Sequence, residues 1–224
     1  MIRLLAVSLL CAGCSLAFPM SEYDEGSGSG GAGGQLDCGT FSHPPISSIR
    51  NSFDVELGSD LAFLDECGAV VDGKLVFDPM VANDFCWVYN VTEHHLTCDA
   101  LTLRLIDAGS QLAGMQRFIY LNRFDADERV FVLQEINGFN FDFLEEVDGS
   151  FHPVEDAWWR LRADRDALFF ETSSDGAAWS LKGSGPHTFS LDSVRVQFGA
   201  GLWQEIAEPL PVSYDCLNVP PPCP

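Results

Sequence analysis

Short runs of alternating apolar and polar residues, separated by turn-forming residues, make up most of this sequence. A side-chain period of two is typical of strands with one buried face, whereas amphipathic helices repeat every 3.6 residues. The strongest hairpin signal is Asp72-Gly73 between two apolar runs, because such a pair accepts the positive φ angles of a tight turn. Further strands are predicted at residues 85–91, 101–106, 118–121, 129–136, 139–147, 168–172, 179–182 and 194–198.

The segment around the double tryptophan shows the alternation most clearly. As a strand it places Trp159 and Leu161 on one face, and Trp158, Arg160 and Arg162 on the other. Roughly a dozen short strands with turn signals at this spacing are typical of a two-sheet sandwich or a barrel. The long helical patterns that accompany a parallel α/β sheet are missing, so the sequence predicts an all-β protein.

The first residues match a secretory signal, assigned to 1–17. One arginine precedes a short apolar stretch and then small residues, which is the three-part pattern of a cleaved signal. Two processing routes stay open. Cys11 to Cys14 is similar to the bacterial lipobox, in which Cys14 would carry the lipid, whereas ordinary cleavage would follow Ala17. We favour the lipoprotein.

Three segments follow the signal. Residues 18–40 include an acidic and then Gly/Ser-rich stretch, which cannot bury enough apolar surface to fold and predicts a flexible tether. Residues 41–210 are assigned to the β-sandwich, and residues 211–224 to a tail that contains Pro and Cys. Because no later apolar stretch is long enough to span a bilayer, membrane contact is expected only through a lipid anchor.

The charge balance limits the choice of partners. There are 33 acidic against 12 basic residues, a formal net charge of −21. Nucleic acids and anionic membrane surfaces need Lys or Arg to neutralise phosphate, so neither is an expected partner. Calcium, cationic partners and neutral ligands stay compatible with this acidity, and solubility alone also accounts for it.

Six cysteines lie beyond the signal, an even number that predicts three disulfides in an exported protein. The sequence does not decide which cysteines pair. A zinc site is the alternative, but no Cys-x-x-Cys pair occurs and His94 and His95 are adjacent. The candidates are Cys38, Cys67, Cys86, Cys98, Cys216 and Cys223.

The Trp-rich region resembles the concanavalin A-like lectin/glucanase superfamily, and above all its laminin-G-like modules in bacterial exported proteins. The residues that carry this likeness are 156–162, then 168–176 with Trp179, and 190–199. The resemblance implies a two-sheet antiparallel jelly-roll sandwich. It also implies one of several functions, because such modules bind sugars or proteins and some are glucanases.

Glucanases of that superfamily carry acidic residues on one strand in a pattern like Glu-x-Asp-x-x-Glu. Glu146-Val147-Asp148 is the best local match, but the closing acid is missing. Glu135-Ile136-Asn137 has an amide in place of the central acid. Since neither set completes the pair of carboxylates that glycoside hydrolysis needs, we expect no enzyme and assign no catalytic residue.

The sequence contains candidate residues for two kinds of ligand site. Aromatic residues not assigned to the core could stack on sugar rings; these are Trp87, Tyr89, Trp158 and Trp203. Asp125, Asp127 and Glu128 could offer oxygen ligands to calcium from one loop. Two arginines flank that loop, so the expected cofactor and metal are none, with calcium as the alternative.

These observations favour a non-catalytic, exported and membrane-tethered β-sandwich that binds a glycan or an extracellular protein. A glycoside hydrolase of the same fold is one alternative. A structural envelope lipoprotein without a small ligand is the other.

Overall fold

The computed structural model describes residues 38–223, except 65–66, 80, 110–111, 125, 136–137, 143–144 and 147–148. For residues 145 and 146 only the backbone is described. The expected signal, the lipidation candidate Cys14 and most of the expected tether lie outside these residues.

Within the described ranges the chain forms fourteen strands and one short 3₁₀ helix, Ile46–Ser48. The predicted strand segments are present with small differences at their ends, except that the predicted strand 139–147 is two strands, Gly138–Phe141 and Glu145–Glu146, which belong to different sheets. The strands are β1 Leu61–Phe63, β2 Gly68–Val71, β3 Lys74–Phe77, β4 Asp84–Asn90, β5 Ala100–Asp107, β6 Met115–Arg123, β7 Arg129–Glu135, β8 Gly138–Phe141, β9 Glu145–Glu146, β10 Trp158–Ala163, β11 Ala167–Ser173, β12 Ser180–Pro186, β13 Val194–Leu202 and β14 Val212–Asp215.

Two turns that contain glycine explain how neighbouring strands pair. Asp72 and Gly73 both adopt positive φ, 50° and 75°, which joins β2 to β3 as a tight hairpin. Gly176 has a φ of 74° in the turn between β11 and β12. A Cβ at Gly176 would also come within 3.0 Å of Trp158 and Pro221, so glycine is needed there for space as well as for conformation.

The strands form two antiparallel sheets, which confirms the predicted sandwich. One sheet has six strands in the order β1-β4-β13-β6-β7-β8. The other has eight strands in the order β2-β3-β14-β5-β10-β11-β12-β9. Strand β14 therefore lies between β3 and β5, although its residues fall in the segment assigned to the tail.

Aromatic side chains connect the two sheets across the core. Phe198 on β13 packs edge-on against Tyr214 on β14, with ring centroids 6.0 Å apart. Tyr214 also contacts Trp159 at 6.2 Å, and Trp159 is 1% exposed. Rings of this size each bury 150–250 Å² and dominate the packing. Trp159 and Leu161, which strand alternation places on one face, are thus both part of the core.

One arginine lies inside the sandwich. Arg117 on β6 is fully buried and donates to the backbone carbonyl of Ala108. Burial lowers the pKa of Arg117 to about 10, while Tyr214 and Asp107 oppose that shift. Its position opposite Gln134 on β7 gives the core a buried polar pair at the centre of the six-stranded sheet.

Three disulfides join the six cysteines in pairs: Cys38 with Cys98, Cys67 with Cys86, and Cys216 with Cys223. They confirm the predicted disulfide bonding and indicate an oxidising, extracytoplasmic compartment. Within the described ranges, no helix has the length and apolar character that crossing a membrane requires.

Candidate functional site

The outer face of the six-stranded sheet carries a group of aromatic side chains. We call it the aromatic cluster; it consists of Phe85, Trp87, Phe118, Tyr120 and Phe131. Alternation along β4, β6 and β7 directs these residues away from the core, because the residues between them are buried inside it. The register of the sheet brings the three strands' contributions together.

Two glycines of β13 make the cluster continuous. Strand β13 lies between β4 and β6, and its outward positions beside the cluster are Gly199 and Gly201. A Cβ at Gly201 would lie 2.1 Å from the ring of Phe85, and one at Gly199 would lie 1.9 Å from the carbonyl oxygen of Cys86. Because these positions carry no side chain, rings from β4 can reach across to rings from β6.

The rings contact one another in a chain across the sheet. The centroids of Trp87 and Phe118 are 5.8 Å apart, those of Phe118 and Tyr120 are 5.0 Å apart, and those of Tyr120 and Phe131 are 5.7 Å apart. Phe118 is fully buried by its neighbours, whereas the other four members keep part of their surface exposed. The result is an apolar floor that is open to solvent.

A cavity of about 230 Å³ opens on this floor. Phe85, Trp87 and Tyr120 line it together with Arg129 and Gln197. The indole N–H of Trp87 is buried and has no hydrogen-bond partner among the described residues. A buried donor without a partner costs free energy, so this group is available to a ligand or an ordered water.

Polar groups surround the floor. The Gln116 amide donates to the Glu135 carboxylate across β6 and β7 at one end of the cluster. Burial raises the pKa of Tyr120, and Asp142 adds to that shift while Arg129 opposes it. Tyr120 therefore stays a neutral hydroxyl that can donate and accept hydrogen bonds.

A second cavity, of about 650 Å³, adjoins the first and shares Arg129 and Gln197 with it. The guanidinium group of Arg195 lies over the rings of Tyr89 and Phe124, at 5.3 Å and 4.5 Å from their centroids. We call this second space the arginine cavity; it is lined by Asn122, Arg123, Phe124, Ala126, Asp127, Arg129, Arg195 and Gln197.

The four tryptophan and tyrosine candidates from the sequence lie at three places. Trp87 and Tyr89 are on the face just described, and both are partly exposed. Trp158 is on the outer face of the eight-stranded sheet, where it is only 4% exposed. Trp203 follows β13 and is 45% exposed, outside the aromatic cluster.

The candidate calcium loop is partly described. Asp125 lies outside the described residues. Asp127 lines the arginine cavity, while the Glu128 carboxylate pairs with Arg123 at 3.0 Å. That ion pair occupies one of the three carboxylates on which the calcium alternative depends.

The two acidic candidates lie on different sheets. Glu146 belongs to β9 at the edge of the eight-stranded sheet, paired with β12, and Asp148 lies outside the described residues. Glu135 ends β7 beside the aromatic cluster, and the residues that follow it, 136–137, are also outside the described set. Of the two, Glu135 is the carboxylate that shares a face with the aromatic cluster.

Two groups of Cys and Asp side chains come close enough to suggest a metal: Cys67, Asp84 and Cys86, and Asp215, Cys216 and Cys223. All four cysteines are in disulfides. A cysteine binds a metal as its thiolate, so the cysteines of these two groups are not available as ligands while their disulfides are intact.

Most residues on the outer face of the six-stranded sheet were not identified as site residues from the sequence. Phe118 and Tyr120 were visible only as part of a strand, and Arg129 and Arg195 were not singled out. Strand alternation could have shown that each points outward, but their meeting depends on β13 pairing with β4 and β6.

Comparison with known proteins gives the fold a context. No protein-family model matches the sequence, and no curated protein matches it. Solved structures do match. A Crh5 transglycosylase in complex with NAG matches with a TM-score of 0.59 at 10% identity, over 78% of this chain and 85% of that one. A β-glucanase of Bacillus licheniformis matches with a TM-score of 0.53 at 7% identity, over 75% and 95% of the two chains.

The protein has the concanavalin A-like jelly-roll fold. A pseudo β-1,3-glucanase of Mycobacterium tuberculosis shares it as well, with a TM-score of 0.52 at 11% identity over 75% of this chain and 96% of that one. The predicted fold and the resemblance to this superfamily are therefore confirmed. The expectation of a protein without enzymatic activity is contradicted, because the matching structures are chiefly glucanases and transglycosylases. Incomplete acidic motifs were too weak a basis for it, because a motif along one strand does not show which carboxylates the fold brings together.

Proposed function

We propose that the protein is a glycoside hydrolase or transglycosylase that acts on an extracellular glycan. The glycan would bind along the aromatic cluster. The observation that carries the proposal is the continuous, solvent-open floor of rings, made possible because β13 carries Gly199 and Gly201 between the rings of β4 and β6. Pyranose rings have apolar faces that stack on aromatic rings, and their hydroxyls need hydrogen-bond partners at the edge. An apolar floor with a few placed polar groups meets both needs.

The polar groups at the edge suit this ligand. The unpartnered indole N–H of Trp87 and the amide of Gln197 both border the smaller cavity. The neutral hydroxyl of Tyr120 adds a donor and an acceptor there. The matching structures agree with this class of ligand, since they include a transglycosylase in complex with NAG and a β-glucanase.

For the chemical step we propose Glu135. Its carboxylate is held by the Gln116 amide at the end of the aromatic cluster. Glycoside cleavage uses two carboxyl groups: one protonates the leaving oxygen, and the other attacks the sugar carbon or activates the attacking water; Glu135 would supply one of this pair. Replacing Glu135 by Gln keeps the size and the hydrogen bond but removes the acid–base group.

Binding is tested with tetrasaccharides of mixed-linkage β-glucan and of chitin, by calorimetry. We expect Trp87→Ala to weaken binding roughly tenfold or more, equivalent to about 1.4 kcal/mol. Trp203→Ala is the matched control, because Trp203 is an exposed tryptophan outside the cluster. Trp87→Phe keeps a ring and should retain most of the affinity. Equal effects of Trp87→Ala and Trp203→Ala, or no binding of either sugar, would contradict the proposed surface.

Turnover is tested separately, by mass spectrometry of products from the same sugars. Glu135→Gln should lower the rate by about 100-fold or more while binding persists, because general acid–base catalysis contributes roughly 10²–10⁴ in rate. If the wild-type protein binds these sugars but neither cleaves nor transfers them, the assignment of Glu135 is wrong and the binding surface stands.

A further inference from the structure

Arginines without carboxylate partners are unexpected in this protein, because acidic residues outnumber basic ones by 33 to 12. Arg123 pairs with Glu128, and Arg160 and Arg162 both pair with Glu171. Arg50, Arg104 and Arg165 form no ion pair with a described residue, but none of them lines the arginine cavity. Arg129 and Arg195 form no ion pair with any described residue. Both of them line the arginine cavity beside the aromatic cluster.

The sheet register sets the spacing of these two arginines. Arg195 on β13 is opposite Asn122 on β6, which is in turn opposite Arg129 on β7. Two strand spacings separate their backbones, or about 10 Å. Arginine side chains are long enough for both guanidinium groups to reach one ligand group between them. Asp127 also lines the cavity but pairs with neither arginine.

Arg195 is held in place before any ligand binds. Its guanidinium group is stacked on Tyr89 and Phe124, at 5.3 Å and 4.5 Å. Its Nε–H is buried and has no hydrogen-bond partner among the described residues. An unmet buried donor costs roughly 1–3 kcal/mol, and more when it is charged.

Arg160 has the carboxylate partner that Arg195 lacks, so the two arginines can be compared directly. Its guanidinium group is stacked in the same manner, 4.2 Å from the ring centroid of Trp179. Unlike Arg195, Arg160 also donates from Nε to the Glu171 carboxylate, at 2.6 Å. The two arginines therefore have similar aromatic support, and only Arg195 lacks the oxyanion.

We infer that the glycan bound on the aromatic cluster carries an anionic group, a uronate carboxylate or a sulfate ester, which Arg195 binds with Arg129. The planar arginine fork matches the two oxygens of such a group. The shared lining residues Arg129 and Gln197 place the arginine cavity next to the sugar floor. The inference rests on the proposed function, since it names the class of sugar for the same face.

The net charge of −21 repels polyanions at long range, yet it does not oppose this recognition at short range. Charges beyond a Debye length of about 8 Å are largely screened at physiological salt, whereas a contact hydrogen bond is not. The two arginines therefore add affinity only for an anionic group that the aromatic cluster has already brought next to them.

The test uses three sugars with the same ring: glucuronate, glucose 6-sulfate and glucose, titrated at constant ionic strength. The readout is the Arg195 Nε–H signal in a nitrogen–proton correlation spectrum, assigned through Arg195→Lys. We expect glucuronate or glucose 6-sulfate to shift this signal with an affinity at least tenfold above that of glucose. The two charged sugars distinguish a carboxylate from a sulfate.

The variants are compared by calorimetry, because Arg195→Gln lacks the Arg195 signal. Arg195→Gln should abolish the preference for the charged sugar, and Arg165→Gln, an exposed arginine in the turn between β10 and β11, should leave it unchanged. Glucose binding as tightly as both charged sugars, or a charged-sugar preference that survives Arg195→Gln, would overturn the inference. The proposed function fails differently, through the neutral tetrasaccharides and Trp87→Ala. If the neutral tetrasaccharides bind in a manner that depends on Trp87 but the charged sugars show no preference, only the inference of an anionic group is refuted.

Discussion

Replacing Asp156 should destabilise the protein strongly, because its carboxylate neutralises a buried lysine. Asp156 is 2% exposed and precedes β10, and Lys182 on β12 is 5% exposed. Their charged atoms are 3.3 Å apart. The carboxylate also accepts hydrogen bonds from the backbone N–H of His152, at 2.7 Å, and from the hydroxyl of Thr172. One side chain thus fixes a loop to two strands.

The magnitude follows from what each substitution leaves behind. Asp156→Asn keeps the shape but removes the negative charge 3.3 Å from the buried Lys182 ammonium, and breaking a buried ion pair costs about 3–5 kcal/mol. For a domain of this size that lowers the melting temperature by roughly 6–20 °C. Lys182→Met should cost less, about 1–3 kcal/mol, because Asp156 keeps its two other donors. The Trp159 indole donates to the backbone carbonyl of Asp156 and is unaffected.

Urea unfolding of the two single variants and of the double variant measures the coupling. The double variant should be more stable than the sum of the single losses predicts, by about 0.5–3 kcal/mol. Glu128→Gln is the control, because the Arg123–Glu128 pair is about half exposed and should contribute at most about 1 kcal/mol. A loss below about 1 kcal/mol for Asp156→Asn, or strict additivity, would refute the buried ion pair as described.

Two further predictions concern stability. Replacing Cys38 and Cys98 by Ala should cost about 4 kcal/mol, against about 2 kcal/mol for Cys216 and Cys223, because the first disulfide closes 60 residues and the second only 7; equal losses in urea unfolding would contradict this ordering. Burial raises the pKa of Tyr214 above its usual 10.0. The stability that depends on the neutral phenol is therefore present below about pH 10 and lost as pH rises above it, by up to about 1.4 kcal/mol per pH unit. Tyr214→Phe should lose the hydrogen bond to the Gly199 carbonyl, 2.9 Å long, and should show a shallower alkaline decline in unfolding free energy; identical pH slopes would argue against it.

Local patterns were sufficient to predict most strands and their hairpins. The turns at Asp72-Gly73 and at Gly176 depend on backbone conformations that few residues adopt, so the sequence specifies them directly. The division of Trp158 and Trp159 between two faces follows from strand geometry and is confirmed. Strand β14 escaped notice because it is only four residues long and prolines surround it, although Val212 to Asp215 alternate between apolar and polar residues.

The candidate site depended on information that a single sequence does not contain. Arg129 and Arg195 are far apart in the chain and meet because β13 pairs with β6, which pairs with β7. Period-two alternation gives the face on which a residue lies, but it does not specify which strands are neighbours. The same limitation applied to the disulfides, whose number was predictable and whose pairing was not.

The two outer faces of the sandwich differ in how far the chain satisfies its own polar groups. On the eight-stranded sheet the charges of Arg160 and Arg162 are met by Glu171, and Asn218 ties the last residues to the backbone of Thr102. On the six-stranded sheet, buried donors of Trp87 and Arg195 have no hydrogen-bond partner among the described residues. Unmet donors lower stability, so a folded protein keeps them where a ligand completes them. That difference is why we place the glycan on the six-stranded sheet, although the Trp-rich motif that reveals the fold lies on the other one.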